Sequence, residues 1–558
     1  MNQKKFNYLF WAALFTIAVV YVIGMNLDLM DIDASQYASI SKEMFNTGSY
    51  LQVFSRGNDY LDKPPLLFWA ACLSFKLFGI HDWAFRLPSV LILALGIYST
   101  YRFSKLYYNE FISKTAVLIT SFCCATYLMT HDVRTDTMLT GWVMFSIWQL
   151  AEFNIHLKIK NIIYAAIGIG LAMLTKGPIG LVIPIIVFSA DFIYKKQWSH
   201  FFRWQYVLVI IIITLILIPM SIGLYEQFDL HPEKVAYNMK SPSGLRFFYW
   251  TQSFGRITGE SYWDNNPDPF FLFHSFMWSF LPWTIFFIPA VFNEVKETIR
   301  NRGKSISAEV ISVAGFVIII LFLSRSKYQL PHYTFCIHPL AAIITAKYLY
   351  KLYFVTDNIK VRKTLFVIQN IIMGLIFVFA LGLIAFVFPA RAYLYVVFIS
   401  GFLGYLYFMF KVKTEKPIRF FATTLIPFIT LILILNMHFY PILLSYQASS
   451  AIGKDLSNIN NTQKHIIIYR SSFSYSFDFY SNTPLHFCYE KEDCEKLLLA
   501  TNSYVLIDTV DFEFIKSIKP SATIIKKYAD FHVTGLSFEF LNPATRPKTL
   551  EWKYLVKY

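Results

Sequence analysis

The chain has 558 residues, of which 56% are hydrophobic, 19% aromatic and only 15% charged. An ordinary soluble globule carries about 25% charged residues, so this composition excludes one. The formal charge of +15 does not point to nucleic acid either, because Lys and Arg sit in short clusters between apolar blocks instead of along one amphipathic face.

From the start of the chain, Lys4 and Lys5 precede an apolar run that reaches Met25, and no A-x-A cleavage site follows, so the segment is expected to remain as a first span. Counting stretches long enough to cross the ~30 Å hydrocarbon layer gives about thirteen spans. They centre near Phe15, Leu95, Leu118, Phe145, Ile169, Pro184, Ile212, Phe280, Val317, Ala342, Leu375, Phe398 and Leu431. With a cytoplasmic N-terminus, the cytoplasmic connections hold Arg102/Lys105/Lys114, Lys158/Lys160, Lys195/Lys196/Arg203, Lys296/Arg300/Arg302/Lys304, Lys351/Lys360/Arg362/Lys363 and Lys411/Lys413/Lys416/Arg419. Each is net basic, as the positive-inside rule requires. An odd number of spans then places the C-terminus outside.

The expected fold is therefore an α-helical polytopic membrane protein. A membrane domain over residues 1–442 sends two long loops, about 28–86 and 223–269, to the outer face, and a small α/β domain follows over 443–558. In that tail, β-rich HIIIY from His465 and SYVLID from Ser503 alternate with helix-like EKEDCEKLLLA. Six cysteines show no spacing for zinc or an iron–sulfur cluster. Cys488 and Cys494 lie in the tail, where an oxidising compartment allows either a disulfide or two free thiols.

Ionisable groups at outer span ends carry the functional information, because charge at membrane depth is costly and marks partners or pathways. MDIDASQYASISKEM puts Asp31 and Asp33 at the surface, with Tyr37 one helical turn after Asp33. Helix capping by Asp33 is the plain alternative. YLDKPPLLFWA follows, in which the two prolines show only that a helix starts. Its Lys63, behind Asp62 and ahead of Phe68 and Trp69, suits an anionic group of an interfacial lipid. HDVRTDTML supplies Asp132, Arg134 and Asp136, LTKGP supplies Lys176, and SRSKYQLPHY supplies Arg325, Lys327 and Tyr333. Any one of these could be a snorkelling interface anchor. Together they bring cations and carboxylates from several loops to one membrane face, which suits departure of a lipid phosphate.

In this order, DIDASQYASISKEM, YLDKPPLLFW, RTDTML, LTKGP and SRSKYQLPHYTFCIHPL resemble the motifs of the GT-C glycosyltransferases, the superfamily of bacterial aminoarabinose lipid A transferases and dolichyl-phosphate-mannose protein mannosyltransferases. The likeness covers about residues 1–350. It implies an inverting transfer from an undecaprenyl-phosphate-type donor at the periplasmic face of a bacterial inner membrane, to lipid A, another envelope glycan or a protein. Carried onto this chain, the first-loop aspartate near the reaction centre is Asp33. It would act as general base toward a hydroxyl acceptor, or orient an acceptor that is already a phosphate. Lys63, Lys176, Arg325 and Lys327 are then the expected phosphate ligands, and Tyr37, Arg134, Asp136, Arg256 and Tyr333 complete the substrate-binding set.

The chain also departs from those motifs. Ala34 stands where relatives are acidic, Gln36 where the lipid A enzymes have arginine, Asp62 where glutamate precedes KPP, and Ser253 in QSFGRITG where those enzymes carry a histidine. That glutamate and histidine form a metal site there, so Asp62 is expected either to support the site or to be a ligand of a divalent metal, and the changes make such a metal a poor expectation here. The changes also weaken aminoarabinose or lipid A as the substrate. Two other classes compete with the transferase. A flippase for lipid-linked sugars would place broken helices and charges near the bilayer midplane in repeated halves, and none of this is visible. A scaffold acting through its tail would leave the charged loops unexplained.

Overall fold

The computed structural model describes residues 3–557 apart from 238, 262, 357, 412–413, 458–465, 470–472, 482–484, 489, 501–503 and 509–510. Among the described residues, seven helices are long and apolar enough to cross a membrane: Gln3–Gly24, Asp82–Tyr107, Ile159–Lys176, Gln205–Asp229, Ile359–Val387, Ala392–Phe410 and Lys416–Leu444. Glu110–Ser121 and Cys124–His131 form a further pair bent by 51°, and Leu66–Phe78, Ile179–Tyr194 and Ser307–Leu323 are shorter apolar helices. The chain is thus a multi-pass helical membrane protein. Every predicted span centre lies inside a helix except Phe280, which falls between Phe271–Ser279 and Thr284–Asn301. Pro282 lies in that break and has no N–H to continue a helical ladder.

Two long loops and the tail share one pole of the helices. In the first loop, helix Asp33–Thr47 leads to a short hairpin pairing Phe54–Ser55 with Asn58–Asp59, and then to helix Leu66–Phe78. Its base is held by Arg86, only 1% exposed, which donates to the carbonyls of Met25, Leu27, Asp28 and His131. These include carbonyls that the end of the first span leaves without helical partners, so the buried guanidinium is satisfied by backbone. The second loop is fastened to the first by Gln227, whose amide accepts from Val53 N at 3.0 Å and donates to Val53 O at 2.8 Å and Asp59 Oδ1 at 2.9 Å.

The tail forms a five-stranded sheet ordered Leu485–Cys488, Ile466–Tyr469, Tyr504–Asp508, Glu551–Lys557, Thr523–Asp530. The first three strands are parallel and the last two join antiparallel. His465 and Ser503, which open the two strands read from the sequence, lie outside the described residues. Cys488 and Cys494 are buried free thiols in this structure. The segment around Tyr480 ties the tail to the first loop. Lys42 Nζ donates to the carbonyls of Asp478, Phe479 and Ser481 at 2.6–2.9 Å, Arg56 pairs with Asp478 at 2.7 Å, and Leu29 N donates to the Tyr480 hydroxyl at 2.8 Å.

Candidate active site

Asp33 is the first residue of its helix, and its side chain makes no cap. Instead its Oδ2 pairs with Arg134 Nη1, which rules out the capping reading, and its second oxygen takes no hydrogen bond among the described residues. Arg134 precedes helix Thr135–His156 and is also gripped by Asp132 Oδ2, at 2.9 Å from Nε and 2.7 Å from Nη2. A single guanidinium therefore fixes carboxylates from two segments, the use for which its planar fork of donors suits it. Tyr37, one turn along from Asp33, is buried within electrostatic reach of Asp33, Asp62, Arg134 and Asp136. Burial, reinforced by Asp33, pushes its phenol well above the usual value and keeps it a neutral O–H donor.

Beside this pair lies a cavity of about 90 Å³ into which three separate segments bring cations: Lys63, Lys176 and Arg256 all line it, together with Asp136, Gln252 and Tyr333. Lys176 is the last residue of its helix, where a cation meets the negative end of the macrodipole. Gly177 follows at φ 84°, the left-handed region that an L side chain avoids, and turns the chain directly into Pro178. The Lys176 ammonium pairs with Asp136 and lies 4.1 Å from the centroid of the Tyr333 ring. Arg256 donates to the Tyr333 hydroxyl at 2.6 Å, and its buried Nε has no acceptor among the described residues. An unmet guanidinium N–H beside a cavity is costly unless a ligand takes it.

Asp62 is surrounded by donors: Lys63 Nζ at 2.7 Å, Gln252 Nε2 at 3.1 Å and Arg256 Nη2 at 3.6 Å. A carboxylate so engaged, with Ser253 in place of a second ligand, does not fit a divalent metal. No group of three or more His, Cys, Asp and Glu suited to an ion occurs among the described residues.

The structure thus gathers Asp33, Tyr37, Asp62, Lys63, Arg134, Asp136, Lys176, Arg256 and Tyr333 into one region. Arg325 and Lys327 are not brought into it: both are exposed, and Ser326 between them lines the cavity instead. Lys327 runs along the second loop, its N–H donating to Arg256 O at 2.9 Å. Its ammonium lies over Gly259, where an added Cβ would come within 2.6 Å of Nζ. His332 is the residue the sequence reading passed over, although it sits next to Tyr333 in the same motif. Its Nδ1 is 3.2 Å from Arg134 Nη1 and its Nε2 is 3.7 Å from Asp136 Oδ2. Because arginine can only donate, Nδ1 must accept, and the ring proton then faces Asp136. Arg134, Lys176, Lys63 and Arg256 all lie within electrostatic reach of this imidazole.

Comparison with known proteins agrees with this architecture. Residues 62–222 match the model of the dolichyl-phosphate-mannose-protein mannosyltransferase family. The chain is 23% identical over 355 residues to an undecaprenyl phosphate-α-4-amino-4-deoxy-L-arabinose arabinosyl transferase of Proteus mirabilis, covering 62% of this chain and 60% of the relative. It is 28% identical over 379 residues to the corresponding transferase of Wigglesworthia glossinidia brevipalpis, covering 67% and 62%. The matched region therefore spans about three-fifths of those relatives. Two crystal structures of ArnT from Cupriavidus metallidurans superpose over nearly the whole chain at 16% identity. The apo form gives a TM-score of 0.71 over 100% of this chain and 98% of that one, and the form bound to undecaprenyl phosphate gives 0.72 over 99% and 98%.

Proposed function

We propose that this chain is a GT-C glycosyltransferase that transfers a sugar from a polyprenyl phosphate to an acceptor at the periplasmic face of a bacterial inner membrane. The observation that carries the reading is the convergence of Lys63, Lys176 and Arg256, from three separate segments, on one cavity beside the Asp33–Arg134 pair. Cations held in fixed positions in a half-buried site stabilise charge that grows on a leaving group far better than water does.

In the proposed step an acceptor oxygen attacks the anomeric carbon from the side opposite the phosphate. The bond from that carbon to the phosphate oxygen breaks, its electron pair stays on the polyprenyl phosphate, and the configuration at the carbon inverts. The phosphate gains negative charge as it leaves, and Lys63, Lys176 and Arg256, which line the cavity, receive it. If the acceptor is a hydroxyl, its proton passes to the unpaired oxygen of Asp33, while Arg134 on the other oxygen holds that carboxylate in place. If the acceptor is a phosphate, no proton moves and Asp33 orients it. Lipid A, another envelope glycan and a secreted protein are the acceptor classes to be tried. Residues 1–442 form the membrane domain in this reading, with the N-terminus in the cytoplasm and residues 443–558 in the periplasm.

The test is a radiolabelled undecaprenyl-phosphate sugar given to the purified protein in nanodiscs together with an envelope extract. The expected result is label in a glycosylated product. Sugar-dependent lipid translocation by protein in empty liposomes, without such a product, would establish the flippase instead.

A further inference from the structure

The transfer reading leaves unassigned a second cavity, of about 530 Å³, where the tail meets the first loop. Its volume lies within the range of small-molecule sites, about 300–1,000 Å³. The walls come from three parts of the chain: Asp31 and Ile32 of the first loop, Gln447 and Ser449 where the last span enters the tail, and the tail segments 473–475, 530–534, 549 and 551. It begins two residues before Asp33.

The lining differs in kind from that of the cationic cavity. Asp31, Asp530 and Glu551 supply carboxylates, Ser449, Ser474, Tyr475, Thr534 and Thr549 supply hydroxyls, Phe473, Tyr475, Phe531 and His532 supply rings, and no Lys or Arg among the described residues lines it. Two of the rings are held in place, Tyr475 by Arg56 at 4.4 Å from its centroid and Phe531 by stacking on Phe540 at 3.8 Å. Asp530 is already engaged, with Ala448 N at 3.0 Å on Oδ1 and Lys553 at 3.5 Å on Oδ2. Asp31 is only half satisfied: Oδ2 accepts from Ser474 and Ser476, while the buried Oδ1 has no partner among the described residues. A buried carboxylate oxygen without a donor is an expensive feature at the wall of this cavity.

Carboxylates and hydroxyls edged by fixed rings suit a molecule with many O–H donors and an apolar face, and the carboxylates that line the cavity disfavour a phosphate. We propose that this cavity binds a neutral or amine-bearing saccharide, the sugar portion of the acceptor. The idea deepens the transferase reading and rests on it: donor phosphate goes to the cationic cavity, and acceptor sugar goes to the carboxylate-lined one next to Asp33.

The experiment is calorimetric titration of the full-length protein in nanodiscs with glucose, glucosamine, glucose 6-phosphate and a neutral tripeptide as probes. Glucose and glucosamine are expected to bind, with glucosamine tighter and glucose 6-phosphate weaker. Glu551→Gln should cut the glucosamine preference and Tyr475→Ala should weaken both sugars, each by about tenfold, a change of about 1.4 kcal/mol. Binding of undecaprenyl phosphate should stay at the wild-type level in both variants. Glu551 is exposed, so its variant keeps the test open if Tyr475→Ala fails to fold. No sugar binding, equal binding in wild type and Glu551→Gln, or preference for the peptide or the sugar phosphate would each overturn the proposal. Sugar binding in a protein that transfers no label would sink the transferase reading and leave the saccharide site standing.

Discussion

Buried charge occurs at both ends of this helix bundle, and the two clusters are built in opposite ways. At the end away from the long loops, Lys347 is 8% exposed and faces Glu294 at 2.7 Å, Glu309 in direct contact and Glu297 at 3.7 Å, while Lys351 pairs with Glu297. Each charge there is met by another side chain, and neither lysine lines any cavity described above. At the loop end, Lys63, Lys176 and Arg256 are also paired, with Asp62 and Asp136, but they line a cavity, and Arg256 Nε and Asp132 Oδ1 are buried without partners among the described residues. The first arrangement is complete as it stands. The second keeps open space beside its paired charges, and that difference, more than the number of charges, is what the proposed site rests on.

Mutations can break the comparison. Asp33→Asn is expected to lower transfer by about two to four orders of magnitude, the range for losing a positioned base, while thermal unfolding in detergent stays close to wild type. Full activity in the radiolabelled lipid-donor assay would remove Asp33 from the chemistry. Lys347→Met should do the reverse. By leaving buried glutamates unpaired it should cost about 3–5 kcal/mol of stability, with transfer per folded molecule little changed. Adding Glu294→Gln and Glu309→Gln should restore the lost stability. Lys63→Ala is expected to slow transfer by about a hundredfold, in line with removal of one preorganised charge donor.

A smaller effect falls on the link between tail and loop. Lys42→Met removes three hydrogen bonds to tail carbonyls and should loosen docking by about 1–3 kcal/mol, read as faster proteolysis of the tail. Burial holds the Lys42 ammonium down to about 8 from 10.5. Between those values the unfolded chain keeps a proton that the folded chain has shed, so stability rises with pH across that window. Lys42→Met should flatten that rise, and an unchanged slope would assign the titration elsewhere.

Much of this was legible in the sequence, and the remainder shares one physical cause. Apolar runs and basic clusters locate the helices because the bilayer imposes length and charge rules on each segment by itself. Asp33, Lys63 and Lys176 stand out for the same reason, each a local exception to those rules. His332 did not, because its meaning lies in its distances to Arg134 and Asp136, residues about 200 positions earlier in the chain. The same holds for Gln252 on Asp62 and for Lys42 on the tail, whose partners lie 190 and more than 430 residues away. The break at Phe280 was missed because the apolar run continues through it while the backbone does not.

Arg325 gives the finest test, since motif order and geometry pull apart there. By its place in SRSKYQLPHY it ranks with Lys63 as a phosphate ligand, yet its side chain is exposed and outside the cavity that Ser326 lines. A cation in solvent interacts through a high dielectric and is screened within about 8–10 Å at physiological salt. Its contribution should therefore be long-range capture of an anionic head group and not charge stabilisation during transfer. Arg325→Ala is expected to raise the apparent KM for the lipid donor by no more than about threefold, an effect that shrinks as salt is added, with kcat unchanged. A loss of kcat comparable to that of Lys63→Ala would mean that Arg325 swings into the cavity when the donor binds, and the site would then be closed by the ligand instead of standing preformed.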